Sequence, residues 1–114
     1  MSRITTHVLD TSRGVPAVGV RVSLEHHGSR EDWRRVADGV TDAGGRLRTL
    51  LPESAEPAPG LYRLTFETGA YFASHGVRTF FPHVCVTFEI LEPGEHFHVP
   101  LLLSPFGYTT YRGS

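Results

Sequence analysis

FFPHVCVTFEI, at positions 80–90, is followed by a turn at 92–95 and then by HFHVPLLL at 96–103. Both stretches are rich in β-branched and aromatic residues, which strands favour. Pro93 and Gly94 are residues typical of a turn. In the second stretch, polar His96 and His98 alternate with apolar side chains, which is the period of a strand with one buried face. The two stretches therefore predict two consecutive strands.

The same period of two continues in both directions along the chain. Further strands are expected at 4–9, 20–25, 33–40, 46–51, 61–67 and 108–111, with turns at 26–30 and 41–45 and a Pro-rich exposed connection at 52–60. One or two helical turns are expected at 69–76, ended by Gly76. Short strands separated by turns about every ten residues predict an all-β sandwich or barrel of antiparallel strands.

Length and composition restrict the class of protein. With 114 residues the chain fits one domain, 1–114, whose core is modest, so a shared interface between copies is expected to add buried surface. Hydrophobic residues make up 39%, charged residues 20%, and the formal net charge is −1. These values suggest neither a disordered chain nor a polyanion-binding surface, so nucleic acid is not an expected partner.

Cysteine content and apolar runs bear on the compartment. Cys85 is the single cysteine, so an internal disulfide is excluded, and its place in an apolar strand predicts a buried, inert thiol. The beginning of the chain has no apolar region typical of a leader, and no run approaches the roughly 20 apolar residues that span a bilayer. We expect a cytoplasmic protein without a membrane role.

Three polar positions are candidates for chemistry. His96 and His98 share one face of their strand, opposite Phe97, and so can act together. With His7 as a third ligand they could also hold zinc, or they could be plain solvated side chains. His7 and Arg46 are equally open to a structural interpretation, since Arg46 merely follows a tight turn. Spacing alone does not decide between these alternatives.

Several separated segments together carry a resemblance. They are THVLDTSRG at 6–14, TDAGGR at 41–46, FFPHV at 80–84 and HVPLLLSPFGYTTYRGS at 98–114. Together they resemble the 5-hydroxyisourate hydrolases, the transthyretin-like enzymes of urate breakdown, and the final Tyr-Arg-Gly-Ser is the most specific mark. The resemblance extends over nearly the whole chain, although His83 departs from the family's pattern after the proline.

The resemblance implies a fold and an assembly. The family fold is a transthyretin-like sandwich of two sheets with about seven to eight short strands and one short helix. It forms homotetramers whose sites lie at the interface between dimers. By matching positions, the catalytic residues are His7, Arg46 and His98, and the substrate-binding residues are His7, Arg46, Tyr111, Arg112, Gly113 and Ser114. The resemblance implies neither a cofactor nor a metal.

The resemblance also implies a reaction. Water adds to a ring carbonyl of 5-hydroxyisourate and opens the six-membered ring to give 2-oxo-4-hydroxy-4-carboxy-5-ureidoimidazoline. A neutral imidazole can take a proton from water at neutral pH, so His7 or His98 is the general base, and the residue types leave open which. The Arg46 guanidinium suits the stabilisation of an oxyanion. The alternative is a carrier of the same fold that binds a small molecule in the tetramer channel without catalysis.

Overall fold

The computed structural model describes residues 2–28 and 32–114, which form two β-sheets around one hydrophobic core. Positions 29 and 30 of the predicted turn at 26–30 lie outside the described residues. The strands are β1 (Ile4–Asp10), β2 (Val15–Pro16), β3 (Arg21–His27), β4 (Arg34–Val40), β5 (Arg46–Leu47), β6 (Gly60–Phe66), β7 (Val84–Ile90), β8 (Phe97–Ser104) and β9 (Gly107–Thr110), and the helix is α1 (Thr68–Ser74). The expected two-sheet sandwich with one short helix is confirmed.

The order of the strands brings the two ends of the chain together. One sheet has the order β2-β1-β8-β9, with β5 also paired to β1, and the other has the order β4-β3-β6-β7. The pairs within both sheets are antiparallel except that of β1 with β8, which is parallel from Ile4 opposite Phe97 to Asp10 opposite Leu103. The prediction of antiparallel strands is therefore wrong for the central pair of the first sheet.

The core lies between the inner faces of the two sheets. In β8 the side chains of Phe97, Val99, Leu101 and Leu103 are buried, as their alternation predicts, and the opposite sheet contributes Leu64 among others. Burying one such side chain stabilises the fold by about 1.5–3 kcal/mol. Because Phe97 and Val99 point inward, His96 and His98 are left on the outer face of the first sheet.

The strand expected at 46–51 ends early, at Leu47. Leu50 and Leu51 are both buried, which a strand with one buried face does not allow for neighbours. The chain instead wraps around Ser2, whose backbone N–H donates to the Arg48 carbonyl at 2.8 Å and whose hydroxyl accepts the Leu51 N–H at 3.1 Å. These bonds replace the ladder that a longer strand would make.

The strand expected at 80–90 begins late, at Val84. Phe80 donates its N–H to the Pro105 carbonyl, and the Pro82 carbonyl accepts the Gly69 N–H, both at 2.9 Å. The segment before Val84 is thus attached to the β8–β9 turn and to α1, and Pro82 has no N–H to offer a ladder. Cys85 is exposed on β7, so the prediction of a buried thiol is wrong.

The helix is close to its predicted position and covers Thr68–Ser74. Gly76 follows it with φ +68°, and its N–H donates to the Ala73 carbonyl at 3.0 Å. A left-handed residue just past the last turn is the role for which glycine is favoured, so the predicted stop is confirmed. No helix within residues 2–28 and 32–114 is long and apolar enough to cross a membrane.

Candidate active site

Strand pairing collects the candidate residues on one sheet. The parallel register of β1 and β8 sets Thr5 opposite His98, and the antiparallel pair of β1 and β5 sets His7 opposite Arg46. Residues from the start, middle and end of the chain therefore meet on the outer face of the first sheet. This meeting explains how side chains more than ninety positions apart contribute to one site.

A tight turn fixes the position of Arg46. The Asp42 carboxylate accepts the backbone N–H groups of Gly44 and Arg46, each at 2.9 Å, and the Arg46 backbone bond is the first cause of the lowered pKa of Asp42. Gly45 has φ +75°, and a Cβ there would lie 2.4 Å from the Val8 carbonyl oxygen. The turn thus requires glycine and places the Arg46 backbone in register with His7.

Arg46 belongs to a positively charged cleft. This open cleft has a volume of about 520 Å³ and is lined by Thr5, Thr6, Arg46, Arg48, His96, His98 and Ser114. Its lining contains two guanidinium groups and no acidic side chain. In the described part of the chain, Arg46 also has no carboxylate within ion-pair distance. The cleft therefore suits a polar ligand with carbonyl oxygens or developing negative charge.

Thr5 connects the two imidazoles of the cleft. Its side chain is 2% exposed, and its hydroxyl lies 2.7 Å from His98 Nδ1 and 2.9 Å from His96 Nε2. The two rings lie 6.2 Å apart and nearly parallel, at 21°. The second ring nitrogen of His98, Nε2, has no hydrogen-bond partner among the side chains of residues 2–28 and 32–114. That nitrogen is available to a ligand or to water in the cleft.

The surroundings of His98 favour its neutral form. The pKa of His98 is lowered from 6.5, first by burial and then by the nearby charges of His96, His7 and Arg46. Burial disfavours the imidazolium because it removes water, and each neighbouring cation adds repulsion. At neutral pH the His98 ring is accordingly neutral and can accept a proton.

His7 lies beside the cleft and has a fixed tautomer. Its Nε2 is 3.0 Å from the Gly44 carbonyl oxygen, which only accepts, so Nε2 carries the proton and Nδ1 is left with a lone pair. Burial and the charge of Arg46 lower the pKa of His7 from 6.5. His7 is not among the residues that line the 520 Å³ cleft. Of the three predicted catalytic residues, Arg46 and His98 therefore line the cleft together, whereas His7 does not.

The residues of the final tetrapeptide, 111–114, lie near two different clefts. Gly113 forms a bridge to His98, with its N–H on the His98 carbonyl at 2.8 Å, and Ser114 lines the cleft. Tyr111 is 56% exposed and, with Arg112, lines a second cleft of about 230 Å³ that His98 also borders. The second cleft lies between β7, the start of β8 and the residues that follow β9.

Arg112 points away from the cleft in the single chain. Its guanidinium lies 3.1 Å from the Glu95 carboxylate and 5.1 Å from the Phe97 ring centre. The Arg112 and Glu95 side chains are 62% and 55% exposed. Exposed pairs of this kind contribute only about 0.2–1 kcal/mol, so this pair can be exchanged for another partner at little cost.

Gly113 is required by the His98 ring, which leads to a first prediction. A Cβ at Gly113 would lie 2.6 Å from His98 Cδ2 and 3.2 Å from Pro100 Cγ, so Gly113→Ala must displace the imidazole. We expect kcat of the activity proposed below to fall about 100-fold, the usual scale for a 1 Å misplacement. Thermal unfolding should change little. Gly107→Ala is the control, because its Cβ would meet only Ser104 Oγ at 3.7 Å; equal activity of the two variants would contradict the prediction.

Thr5, Thr6 and Arg48 line the cleft but were not among the site residues expected from the sequence. Thr5 shares the outer face of β1 with His7, two positions away, and this is the one signal that could have drawn attention to it. Its partners His96 and His98 are far along the chain. The parallel register that joins them is not visible in residue patterns.

The zinc hypothesis receives no geometric support. Across residues 2–28 and 32–114, no group of three or more His, Cys, Asp or Glu side chains is arranged to hold a metal ion. The Thr5 hydroxyl occupies the space between His96 and His98, and His7 Nε2 is directed to Gly44. These bonds engage one nitrogen of each of the three rings.

The two sheets, the single helix and the cleft on the outer face define a transthyretin-like β-sandwich. The sequence profile of the HIUase/Transthyretin family matches residues 4–113. The chain belongs to this family, which confirms the resemblance found in the sequence.

Relatives with assigned names cover nearly the whole chain. A protein of Salmonella typhimurium named 5-hydroxyisourate hydrolase is 50% identical over 111 residues, which are 97% of this chain and 80% of that protein. The mouse protein of the same name is 44% identical over 114 residues, covering 99% of this chain and 96% of the other. Hydrolases from distant organisms thus align with this chain from end to end.

Solved structures include both an enzyme and a carrier. The structure of Klebsiella pneumoniae 5-hydroxyisourate hydrolase has a TM-score of 0.84 at 44% identity and covers 97% of this chain and 98% of that chain. Sea bream transthyretin in complex with thyroxine has a TM-score of 0.90 at 34% identity, with coverage of 98% and 95%. Backbone shape alone therefore does not separate the two functions, and the cleft residues must.

Proposed function

We propose that the protein hydrolyses 5-hydroxyisourate in urate degradation and forms 2-oxo-4-hydroxy-4-carboxy-5-ureidoimidazoline. The observation that carries the proposal is that His98 and Arg46 line one cleft, with Thr5 bonded to one nitrogen of the His98 ring and no side-chain bond given to the other among the described residues. A base and a charge-stabilising group are the two requirements for adding water to a carbonyl. The names of the relatives supply the substrate.

His98 is the general base in this proposal. His98 lines the cleft, and burial and neighbouring cations lower the pKa of its ring from 6.5, which favours the neutral form. A positioned base typically contributes about 10²- to 10⁴-fold in rate. Water held by Nε2 loses its proton as its oxygen bonds to the ring carbonyl carbon.

Arg46 and His7 orient the substrate. The Arg46 guanidinium donates hydrogen bonds to the carbonyl oxygen as it becomes an oxyanion, and its turn, held by Asp42, keeps the donor in place. Since the His7 tautomer leaves Nδ1 as an acceptor, His7 accepts a hydrogen bond from a substrate N–H or from the attacking water. The acceptor role of His7 requires a neutral His7 ring, and the base role of His98 requires a neutral His98 ring.

The tetrapeptide at 111–114 completes the substrate-binding set in this proposal. Gly113 allows the chain to approach the His98 ring closely, and the Ser114 hydroxyl adds a hydrogen-bonding group to the cleft. Tyr111 and Arg112 bind substrate at the interface between copies, where Arg112 exchanges its exposed bond to Glu95 for substrate oxygen. Because an exposed ion pair contributes little free energy, this exchange of partners costs little.

The working assembly in this proposal is a homotetramer with its sites at the dimer–dimer interface. β7 and β9 each end the order of their sheet and leave one edge unpaired in the single chain, and such edges pair readily with a second copy. Close in sequence to these two strands, two aromatic side chains are largely exposed, Phe80 at 72% and Phe106 at 69%. Static light scattering of the wild type tests the assembly, and a monomeric mass at working concentration would refute it.

The compartment and domain organisation follow the same proposal. The chain acts as one domain, 1–114, and works in the cytoplasm, where its single exposed Cys85 remains reduced. Fractionation of the native host with antibody detection tests the location.

A carrier function is the alternative, because the thyroxine-bound transthyretin has a closely similar fold. One assay separates the two. Urate is oxidised in place to 5-hydroxyisourate, and the decay of its ultraviolet absorbance is followed with and without the protein. Acceleration well beyond the spontaneous rate supports the hydrolase. Decay equal to that in buffer refutes it and makes the carrier the leading hypothesis.

The pH dependence is a second prediction. The pKa values of His7 and His98 are both lowered from 6.5, so each ring takes up a proton only at a pH below that value. We therefore expect the decline of kcat/KM with falling pH to have its midpoint below pH 6.5, with a slope steeper than one proton if both rings must be neutral. Initial rates corrected for spontaneous decay at each pH test this. A decline centred above pH 6.5 would contradict the assignment.

A further inference from the structure

The Thr5 hydroxyl contacts both imidazoles of the cleft, and its chemistry links their protonation. A hydroxyl has one proton to donate and two lone pairs that accept, so of His98 Nδ1 and His96 Nε2, both bonded to Thr5, at most one can be bare. The tautomers of the two rings therefore constrain each other. If Nε2 of His98 is bare for catalysis, its Nδ1 carries the proton and donates to Thr5, which leaves the Thr5 hydroxyl proton for His96 when that ring has a bare Nε2.

Resting on the function proposed above, we infer that His98, Thr5 and His96 form a proton relay. Water transfers a proton to His98 Nε2 while its oxygen bonds to the substrate carbonyl carbon. At the same time the Nδ1 proton of His98 moves to Thr5 Oγ1, and the hydroxyl proton of Thr5 moves to His96 Nε2. His98 ends neutral with its proton on Nε2, and His96 ends as the imidazolium.

The relay runs in reverse as the ring opens. When the tetrahedral intermediate collapses, the carbon–nitrogen bond breaks and the leaving nitrogen takes the proton from His98 Nε2. His96 Nε2 returns its proton to Thr5, and Thr5 returns its own to His98 Nδ1. The proton lost by water thus ends on the leaving nitrogen, the new carboxylic acid ionises to solvent, and no protein group is changed.

Burial explains why a relay is useful here. A positive charge on half-buried His98 is opposed by lost hydration and by Arg46, whereas His96 is exposed to water. Transfer of the charge to His96 places it where water can solvate it. The charged and titratable groups that surround the pair are His7 on β1, Arg46 on β5, Arg48 and the Ser114 carboxylate in the cleft, and Glu95, which precedes His96 and pairs with Arg112.

Thr5 is a positioning residue in this scheme, and its variants test it. Thr5→Val removes the hydroxyl and keeps the shape, so kcat should fall about 10- to 100-fold with little change in KM. Thr5→Ser keeps the hydroxyl and should retain most of kcat. Thr11→Val is the matched control, because its hydroxyl also bonds β8, at the Leu103 carbonyl, but touches no imidazole.

His96 separates a relay from mere orientation of His98. His96→Gln has no group that can become charged, so it should lower kcat as much as Thr5→Val, and the double variant should be no slower than either single variant. Wild-type kcat in His96→Gln, or in Thr5→Val, would overturn the relay. Additive losses in the double variant would also overturn it, because a single chain of proton transfers can be interrupted only once.

A measurement without substrate keeps this test separate from the proposed function. In ¹H–¹⁵N spectra of the imidazole nitrogens, neutral His98 of the wild type should carry its proton on Nδ1 and have a bare Nε2, and Thr5→Val should lose that preference. A wild-type His98 protonated on Nε2 would overturn the relay whatever the activity. If the wild type fails to hydrolyse 5-hydroxyisourate while His98 shows the expected tautomer, the proposed function is the part that is wrong.

Discussion

His98→Asn should lower kcat/KM for 5-hydroxyisourate about 1,000-fold, the largest loss that we expect from a single substitution. Asparagine keeps a polar atom near the Thr5 hydroxyl, so the local packing can persist, but it cannot accept a proton from water. The ring nitrogen that Thr5 does not engage, His98 Nε2, is lost altogether. The measurement is the initial rate of absorbance decay above the spontaneous rate, combined with the thermal unfolding midpoint.

His83→Asn is the matched control for this loss. His83 is exposed, lies before β7 and does not line the cleft. Its variant should keep the wild-type rate. If His98→Asn, still folded, retains more than a tenth of the wild-type kcat/KM, His98 is not the base, and His7 becomes the candidate to test.

Arg46 variants should show the second-largest effect. Loss of one preorganised donor to an oxyanion typically costs about 10²- to 10³-fold in kcat, so Arg46→Met should fall in this range. Arg46→Lys keeps the charge and loses the planar fork, so we expect about a tenfold to hundredfold loss. A fall mainly in kcat indicates stabilisation of the transition state, while a rise only in KM indicates equal binding of substrate and transition state.

Arg78→Lys and Arg78→Met are the controls for charge and size. Arg78 is exposed in the segment after α1 and lines neither of the two clefts near His98. Its variants should leave kcat and KM unchanged. Wild-type kcat in Arg46→Met would remove Arg46 from the mechanism and would favour Arg48, the other guanidinium of the cleft.

The fold was largely predictable because a sandwich depends on alternation that each strand shows by itself. The buried side chains of β8 and the stop at Gly76 follow from local patterns. The expectations at 46–51 and 80–90 were wrong at one end, because Ser2, Gly69 and Pro105 bind those segments from distant parts of the chain. Local patterns carry no information about such partners.

The site was predictable only through the resemblance. Spacing placed His96 and His98 on one face but could not separate a zinc site, a solvated pair and a base. The resemblance supplied His7, Arg46 and the tetrapeptide as a set, and the structure brings Arg46, His98 and Ser114 to one cleft. For Thr5 the sequence offered only the strand face that it shares with His7, because its importance depends on the register between β1 and β8.

The parallel pairing of β1 with β8 also has a consequence for the folding pathway. Thr5 and His98 are 93 positions apart, and contacts of such long range form late because closing the intervening chain costs entropy. A partly folded chain can hold the β3-β6-β7 meander of the second sheet with no trace of the cleft. During refolding from denaturant, the fluorescence of Trp33, which packs against Arg63 of the second sheet, should therefore recover before catalytic activity, and intermediates of this protein should be inert towards substrate.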